Sequence, residues 1–279
     1  MAGWIASVLV LLAASRLGTA QKTYCNPTVN TCPPVPALGT SISVDFTTSE
    51  SSLGPYVNQV NGPLTFDQKG NGLTLLIMNE FDFPQAGISK YIFYGRVDVT
   101  MRTAPGIGIA TSFVLQSDDL DEIQFEWVGA DLDRNVTRTN YFSKGCTATY
   151  DRGTVFTTVN HTGEYHTYSI DWTPEKVEWL VNGQVMRALT AENADRTVCG
   201  RFPQSPMRIL VGSWVPGKAA APAGTIDWAG GLADFSKGPS STYIRGINVT
   251  DTANGVEGAK QYRHRDMSGI AANVVVETS

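Results

Sequence analysis

Asp121-Glu122-Ile123-Gln124-Phe125-Glu126-Trp127 is the stretch on which the fold turns. As a strand, its period-2 alternation puts Glu122, Gln124 and Glu126 on one face and Ile123, Phe125 and Trp127 on the other. One face suits a core; the other carries two carboxylates flanking an amide. The ends of that polar trio lie roughly 13 Å apart at Cα, from about 3.3 Å per residue. Two glutamates leaning together across a concave sheet close most of that gap. The result approaches the roughly 5 to 5.5 Å between nucleophile and acid/base in a retaining glycosidase. An exposed strand face carrying charges is the plain alternative, and spacing alone does not separate the two.

The neighbouring sequence is dense in strand signals. Val97, Val99 and Met101 alternate with Arg96, Asp98, Thr100 and Arg102, which predicts a half-buried antiparallel strand. Val177, Trp179 and Val181 run into Asn182-Gly183, and Gln184 to Arg187 leads away, so a hairpin with a type I′ turn is expected. Leu73 to Met78 is an apolar run suited to an inner strand, while Ala191 to Arg196 has room for one helical turn. No longer amphipathic helix is visible before the C-terminal stretch. Many short strands joined by Gly and Pro turns predict an all-β fold, a β-sandwich or jelly roll.

The first 20 residues read as a signal peptide, with an apolar Ile5–Ala14 and small residues Gly18-Thr19-Ala20 before Gln21. Losing them takes Arg16 and leaves 20 basic against 26 acidic side chains, a net charge of −6 that argues against nucleic acid as a partner. Residues 21–40 form a Cys/Pro-rich lead, residues 41–250 the main β domain, and residues 251–279 a C-terminal extension. Four cysteines allow three pairings; Cys25 with Cys32 and Cys146 with Cys199 is the favoured set, since the first pair closes a short Pro-rich loop. Asn135, Asn160 and Asn248 head glycosylation sequons, whereas Asn26 is blocked by Pro27.

In Pro206 to Trp214, alternation places Arg208, Leu210, Gly212 and Trp214 on one face, with Gly212 leaving space beside the indole. A flat aromatic beside a vacancy suits a pyranose ring. Trp228, with Thr225 and Asp227 in a glycine-rich loop, is a second platform. Trp172 and Trp179 are assigned to the core, and core packing is the commoner role for any single tryptophan.

These residues together resemble glycoside hydrolase family 16, whose signature Glu-x-Asp-x-Glu is matched by Glu122 to Glu126. Asn140-Tyr141-Phe142, His166-x-Tyr168-x-x-Asp171-Trp172 and Pro206 to Trp214 follow in that family's order. Ser117-Asp118-Asp119 and Ile226 to Gly231 are most similar to the fungal Crh cell-wall transglycosylases, and the likeness runs from about Phe46 to Phe235. It implies a concanavalin-like β-jelly-roll sandwich with a concave glycan-binding cleft, in which Glu122 is the nucleophile and Glu126 the acid/base of a double displacement, with chitin as donor and glucan or chitin as acceptor. Asn140, Tyr141, Arg208, Trp214, Thr225, Asp227 and Trp228 become candidate substrate-binding residues. Gln124 departs from the pattern, because the family's central residue is Asp. An amide carries no charge there but can still donate a hydrogen bond to Glu122.

Other readings have weaker support. A secreted, non-catalytic glycan-binding module would use the same sandwich without the paired glutamates, and a plain chitinase or glucanase would use the same site with water. Asp131 to Asn135 imitates the start of a calcium loop but has Val136 and Phe142 where Gly and Glu are needed. Ser213 lacks a nucleophile elbow, and Gly106-Ile107-Gly108 is more simply a turn. No cofactor, metal or obligatory protein partner is called for; the expected partners are chitin and β-glucan, and the expected location is outside the cell, at the wall. Relatives of this type often end in a lipid-anchor signal, whereas this chain stops at Ser279 without a terminal apolar segment. A soluble form and a shortened lipid-anchored protein are the two expectations.

Overall fold

The structure, a computed structural model, describes residues 23–48, 55–67, 70–147, 152–194 and 201–279. The leader and Cys199 therefore lie outside the described residues.

Two antiparallel sheets face each other across one core. The front sheet runs, in spatial order, β11 (Thr154–Thr157), β10 (Val136–Phe142), β9 (Glu122–Val128), β8 (Ala110–Ser117), β15 (Met207–Trp214), β6 (Gln85–Ile88) and β3 (Val57–Asn61). The back sheet runs β14 (Gln184–Thr190), β13 (Lys176–Val181), β12 (His166–Trp172), β7 (Gly95–Arg102), β16 (Ser240–Asp251), β5 (Gly72–Ile77) and β4 (Thr65–Asp67). A further strand, β2 (Ser41–Asp45), pairs with β16. The chain crosses repeatedly between the two sheets, with β8 to β11 consecutive in the front one and β12 to β14 consecutive in the back one, which gives the expected jelly-roll sandwich.

Alternation decides which side of each strand meets the core. On β7, Val97, Val99 and Met101 are fully buried while Arg96, Asp98, Thr100 and Arg102 turn outward. On β9 the inward residues Ile123, Phe125 and Trp127 pack into an aromatic layer. Phe113 and Phe125 stack at 6.0 Å, Phe125 and Trp127 at 5.9 Å, and Tyr168 closes edge-on at 4.6 Å from Trp127. Each buried indole finds a hydrogen-bond acceptor, as a polar group away from water must. Trp127 Nε1 donates to Thr137 Oγ1, Trp172 Nε1 to the Pro203 carbonyl, and Trp179 Nε1 to the Gln124 carbonyl. The β13–β14 hairpin turns at Asn182 (φ 50°) and Gly183 (φ 82°), the left-handed pair that a type I′ turn requires.

One expectation is met only in part by described residues and another needs correction. Residues 191–194 form a turn in which Asn193 N–H and Ala194 N–H return to the Thr190 carbonyl, while Asp195 and Arg196 lie outside the described residues. The segment around Trp228 is not a loop but a short helix, α1 (Ala223–Trp228), started by Pro222 and ended before Gly230 in the left-handed region (φ 86°).

The two ends of the described chain meet in a third sheet, β1 (Val35–Pro36), β17 (Gln261–His264) and β18 (Val274–Glu277). Asp251, at the end of β16, fastens this sheet to the sandwich. Its carboxylate accepts from Gly39 N–H, Phe93 N–H, Ala253 N–H and the Tyr262 hydroxyl. Cys25 and Cys32 form the expected disulfide beside it in sequence, with Cα atoms 5.7 Å apart, and Cys146 is also disulfide-bonded. Among the described residues no helix is long and apolar enough to cross a membrane. Replacing Asp251 by Ala strands the buried N–H groups of Phe93 and Ala253, the half-buried N–H of Gly39 and one buried hydroxyl, so unfolding in urea should show a loss of about 3 kcal/mol or more, from roughly 1 to 3 per orphaned group with partial relaxation.

Candidate active site

The front sheet's outward face is assembled by register. Opposite Glu122, Gln124 and Glu126 on β9 stand Gln116, Val114 and Ser112 on β8, and Phe142, Asn140 and Arg138 on β10. Directly opposed residues of an antiparallel pair share a face, so the two carboxylates lie in a strip three strands wide. Glu122 is buried, and its Oε2 accepts from Gln116 Nε2 at 3.3 Å. Gln124 is anchored through its backbone by Trp179 from the opposite sheet, at 3.1 Å. That bond fixes the middle of the trio to the core.

The turn entering β9 is held by buried charge. Leu120 adopts φ 67°, a left-handed conformation that is strained for a bulky residue and persists only when its surroundings enforce it. Ser117 Oγ accepts from Asp121 N–H at 2.7 Å and donates to Asp119 Oδ1 at 2.5 Å. Lys144 Nζ sits 2.7 Å from Asp119 Oδ2 and 2.8 Å from Asp121 Oδ2, and Gln204 N–H also donates to Asp121. Burial pushes the Asp121 carboxyl up from the ordinary range, and Lys144 opposes that shift. The residue next to Glu122 is thus clamped from two directions.

Glu126 is the electrostatically distinctive group. Burial, and then the charge of Glu122, push its carboxyl up to about 8, while Arg138 pulls the other way. Arg138 is itself held by the buried Asp131, in a 3₁₀ helix over Gly129–Arg134, with Nε 2.7 Å and Nη2 2.5 Å from Asp131 Oδ2. A carboxyl at about 8 is mostly protonated near neutral pH, the state a general acid needs.

The remaining candidates divide. Asn140 reaches the face beside Gln124, where its Oδ1 accepts from Tyr141 N–H. Arg208 lies opposite Gln116 on β15 and approaches Asp118 at 3.8 Å. Trp214 and Trp228 stack at 6.0 Å with planes 27° apart, so the two platforms form one aromatic corner. Asp227 is exposed on α1, but Thr225 is buried there, on the same side of the helix as Ala229, and presents little to a ligand. Tyr141 is a correction. Opposite Ile123, it takes the inward face and joins the core, while Phe142 opposite Glu122 takes the outward one. Gly212 is another, because the Gln85 side chain from β6 fills the space beside it, within 3.3 Å of where a Cβ would stand. Gln116, Arg138, Phe142 and Gln85 were not expected on this face; pairing β8 and β10 against β9 would have found the first three. Asn160 and Asn248 are exposed, Asn135 is partly so, and Asn135 Oδ1 accepts from Asn160 N–H. Asp131, the start of the imagined calcium loop, is occupied by Arg138.

Residues 56–230 match the family model for glycosyl hydrolases family 16. The chain belongs to that family. Crh-like protein 4 of Aspergillus fumigatus is 43% identical over 93% of this chain and 54% of its own length, and Crh-like protein CRH11 of Candida albicans is 43% identical over 95% and 54%. The chain spans about half the length of these curated relatives. Among solved structures, the Crh5 transglycosylase in complex with NAG superposes with a TM-score of 0.83 at 37% identity, covering 91% of this chain and all of that one. A Bacillus licheniformis β-glucanase, with a TM-score of 0.61 at 21% identity over 77% of this chain and 99% of its own, shares the fold.

The raised Glu126 carboxyl carries a stability signature. Below about pH 4.5 the group is protonated in both folded and unfolded chains; between about 4.5 and 8 the unfolded chain ionises first, so wild-type stability falls as pH rises through this window. Glu126→Gln should therefore match wild type at pH 4 and exceed it increasingly toward pH 8 in paired thermal melts. A constant difference across that range would mean that Glu126 titrates normally.

Proposed function

We propose that this protein is a retaining glycosyltransfer enzyme of the cell wall that cleaves chitin and passes the released chain to a glucan or chitin acceptor. The observation that carries this reading is the pairing of Glu122 and Glu126 on one outward strand face, with Glu126 pushed up to about 8. Glu126 gives its proton to the leaving sugar oxygen as that bond breaks and the Glu122 carboxylate bonds to the anomeric carbon. The Glu126 carboxylate then takes the proton of an incoming hydroxyl, whose oxygen displaces Glu122 and keeps the β configuration. Gln116 steadies Glu122, and Gln124 spaces the two carboxylates without adding charge.

The similarity to the Crh-like proteins and to the Crh5 transglycosylase in complex with NAG supports transfer and a donor built from N-acetylglucosamine. The Trp214–Trp228 corner supports binding of a sugar chain. The Cys25–Cys32 disulfide and the apolar leader support export, and the three sequons fit a glycosylated exterior. Water is abundant, so an acceptor wins only if the face orients its hydroxyl, where effective molarities reach about 10⁵ M or more.

The test is incubation with chitin oligomers, with and without labelled glucan oligomers, with products resolved by mass. Added acceptor should divert short free oligomers into longer hybrids; release at an unchanged rate whatever the acceptor makes the protein a plain glycosidase, and no product at all makes it a binding module. Glu122→Gln should abolish turnover while the fold persists. Trp214→Ala should weaken donor binding by about 1 to 3 kcal/mol, by analogy with base stacking on aromatic side chains, with little change in Tm. A large fall in Tm with unchanged binding would return Trp214 to a packing role.

A further inference from the structure

Glu126 has to be an acid in one half of the reaction and a base in the other, and among the described residues the charges around it are few. On its own strand stand Glu122 and the neutral Gln124; opposite it on β8 is Ser112, and opposite Gln124 is Val114, neither of which carries charge. On β10 the register sets Arg138 against Glu126 and Asn140 against Gln124. Behind Arg138 lies Asp131, and near Asp131 is the buried His161, which burial pulls down to about 4 and so keeps neutral. Arg138 is the cation in this set, and its guanidinium is fixed by two donors on one buried oxygen rather than left to wander.

We propose that Arg138, held in place by Asp131, is a positioning residue for Glu126 that stabilises its carboxylate while the sugar is carried on Glu122, and so favours return of the acceptor's proton. The inference rests on the acid/base reading of Glu126 given above. Its physical basis is a change of charge during the cycle. Before the first step Glu122 is anionic and opposes ionisation of Glu126. Once Glu122 is a glycosyl ester that opposition is gone, and the fixed cation across the strand pair becomes the dominant field on a partly buried carboxylate. Asp131 serves two purposes, orienting the guanidinium and moderating its charge.

The experiment follows the Glu126 carboxyl directly by 13C NMR titration and, in parallel, measures the pH dependence of kcat/KM for transfer from chitin oligomers to labelled glucan oligomers. The free enzyme needs Glu126 protonated, so activity is lost as pH rises through its midpoint, and that alkaline limb should follow the titration. Arg138→Gln removes the cation and should move midpoint and limb upward by about one pH unit. Asp131→Asn removes the moderating anion and should move both downward. Arg138→Lys keeps the charge and should stay near wild type. A merely structural role moves none of these midpoints in opposite senses. If Arg138→Gln does not fold, the downward shift in Asp131→Asn still decides the matter, since Arg138 is partly exposed and tolerates losing its partner. Midpoints that coincide with wild type in the folded variants overturn the proposal. Midpoints that move while the kinetic limb stays fixed keep the charge coupling and overturn the acid/base reading instead.

Discussion

Burial of Ile123, Phe125 and Trp127 between the two sheets holds β9 in a single register, and the outward face inherits its composition from that constraint. A slip of one residue would send Glu122, Gln124 and Glu126 into the aromatic layer and the three apolar side chains into water. The penalty for burying two carboxylates is large enough to exclude that alternative. The Trp179–Gln124 hydrogen bond fastens the same strand from the opposite sheet, and the Asp119–Lys144–Asp121 cluster fastens the turn that leads into it. Three kinds of force, apolar burial, a buried hydrogen bond and a buried ion cluster, therefore converge on the residues flanking one pair of glutamates.

The same register explains what could be read from the chain alone. Strands with clean alternation, such as Arg96 to Arg102, announce both their secondary structure and their faces. Asn182-Gly183 announces its turn because few dipeptides accept two left-handed residues in succession. Tyr141-Phe142 is different, since either aromatic can face the core and only pairing to Ile123 and Glu122 tells them apart. Gly212 reads as a vacancy along the chain, yet Gln85 comes from a strand more than a hundred residues away. The short helix bearing Trp228 lacks a side-chain N-cap and contains a glycine, so only Pro222 before it and Gly230 after it mark it locally. The sheet joining the two ends of the described chain depends on pairing across more than 200 residues, which no window can see.

Electrostatics were legible in outline only. Two glutamates at i and i+4 on a strand foretell a carboxylate pair, but their difference in environment comes from neighbours on other strands. Gln116 reaches Glu122 from β8, and Arg138 faces Glu126 from β10 with Asp131 behind it. The neutral Gln124 leaves those neighbours to make the surroundings of the two carboxyls differ. Family 16 membership accounts for the scaffold.

The central claim is that Glu122 becomes covalently attached to sugar while Glu126 manages the proton, and trapping that ester tests it most directly. Glu126→Gln protein mixed with a β-glycoside of N-acetylglucosamine oligomers bearing an activated leaving group needs no acid for the first step and lacks the base for the second. Acid quenching, proteolysis and mass spectrometry should find the glycosyl mass on the peptide containing Glu122. Rapid consumption of the donor with no adduct, or an adduct on another residue, would contradict the account.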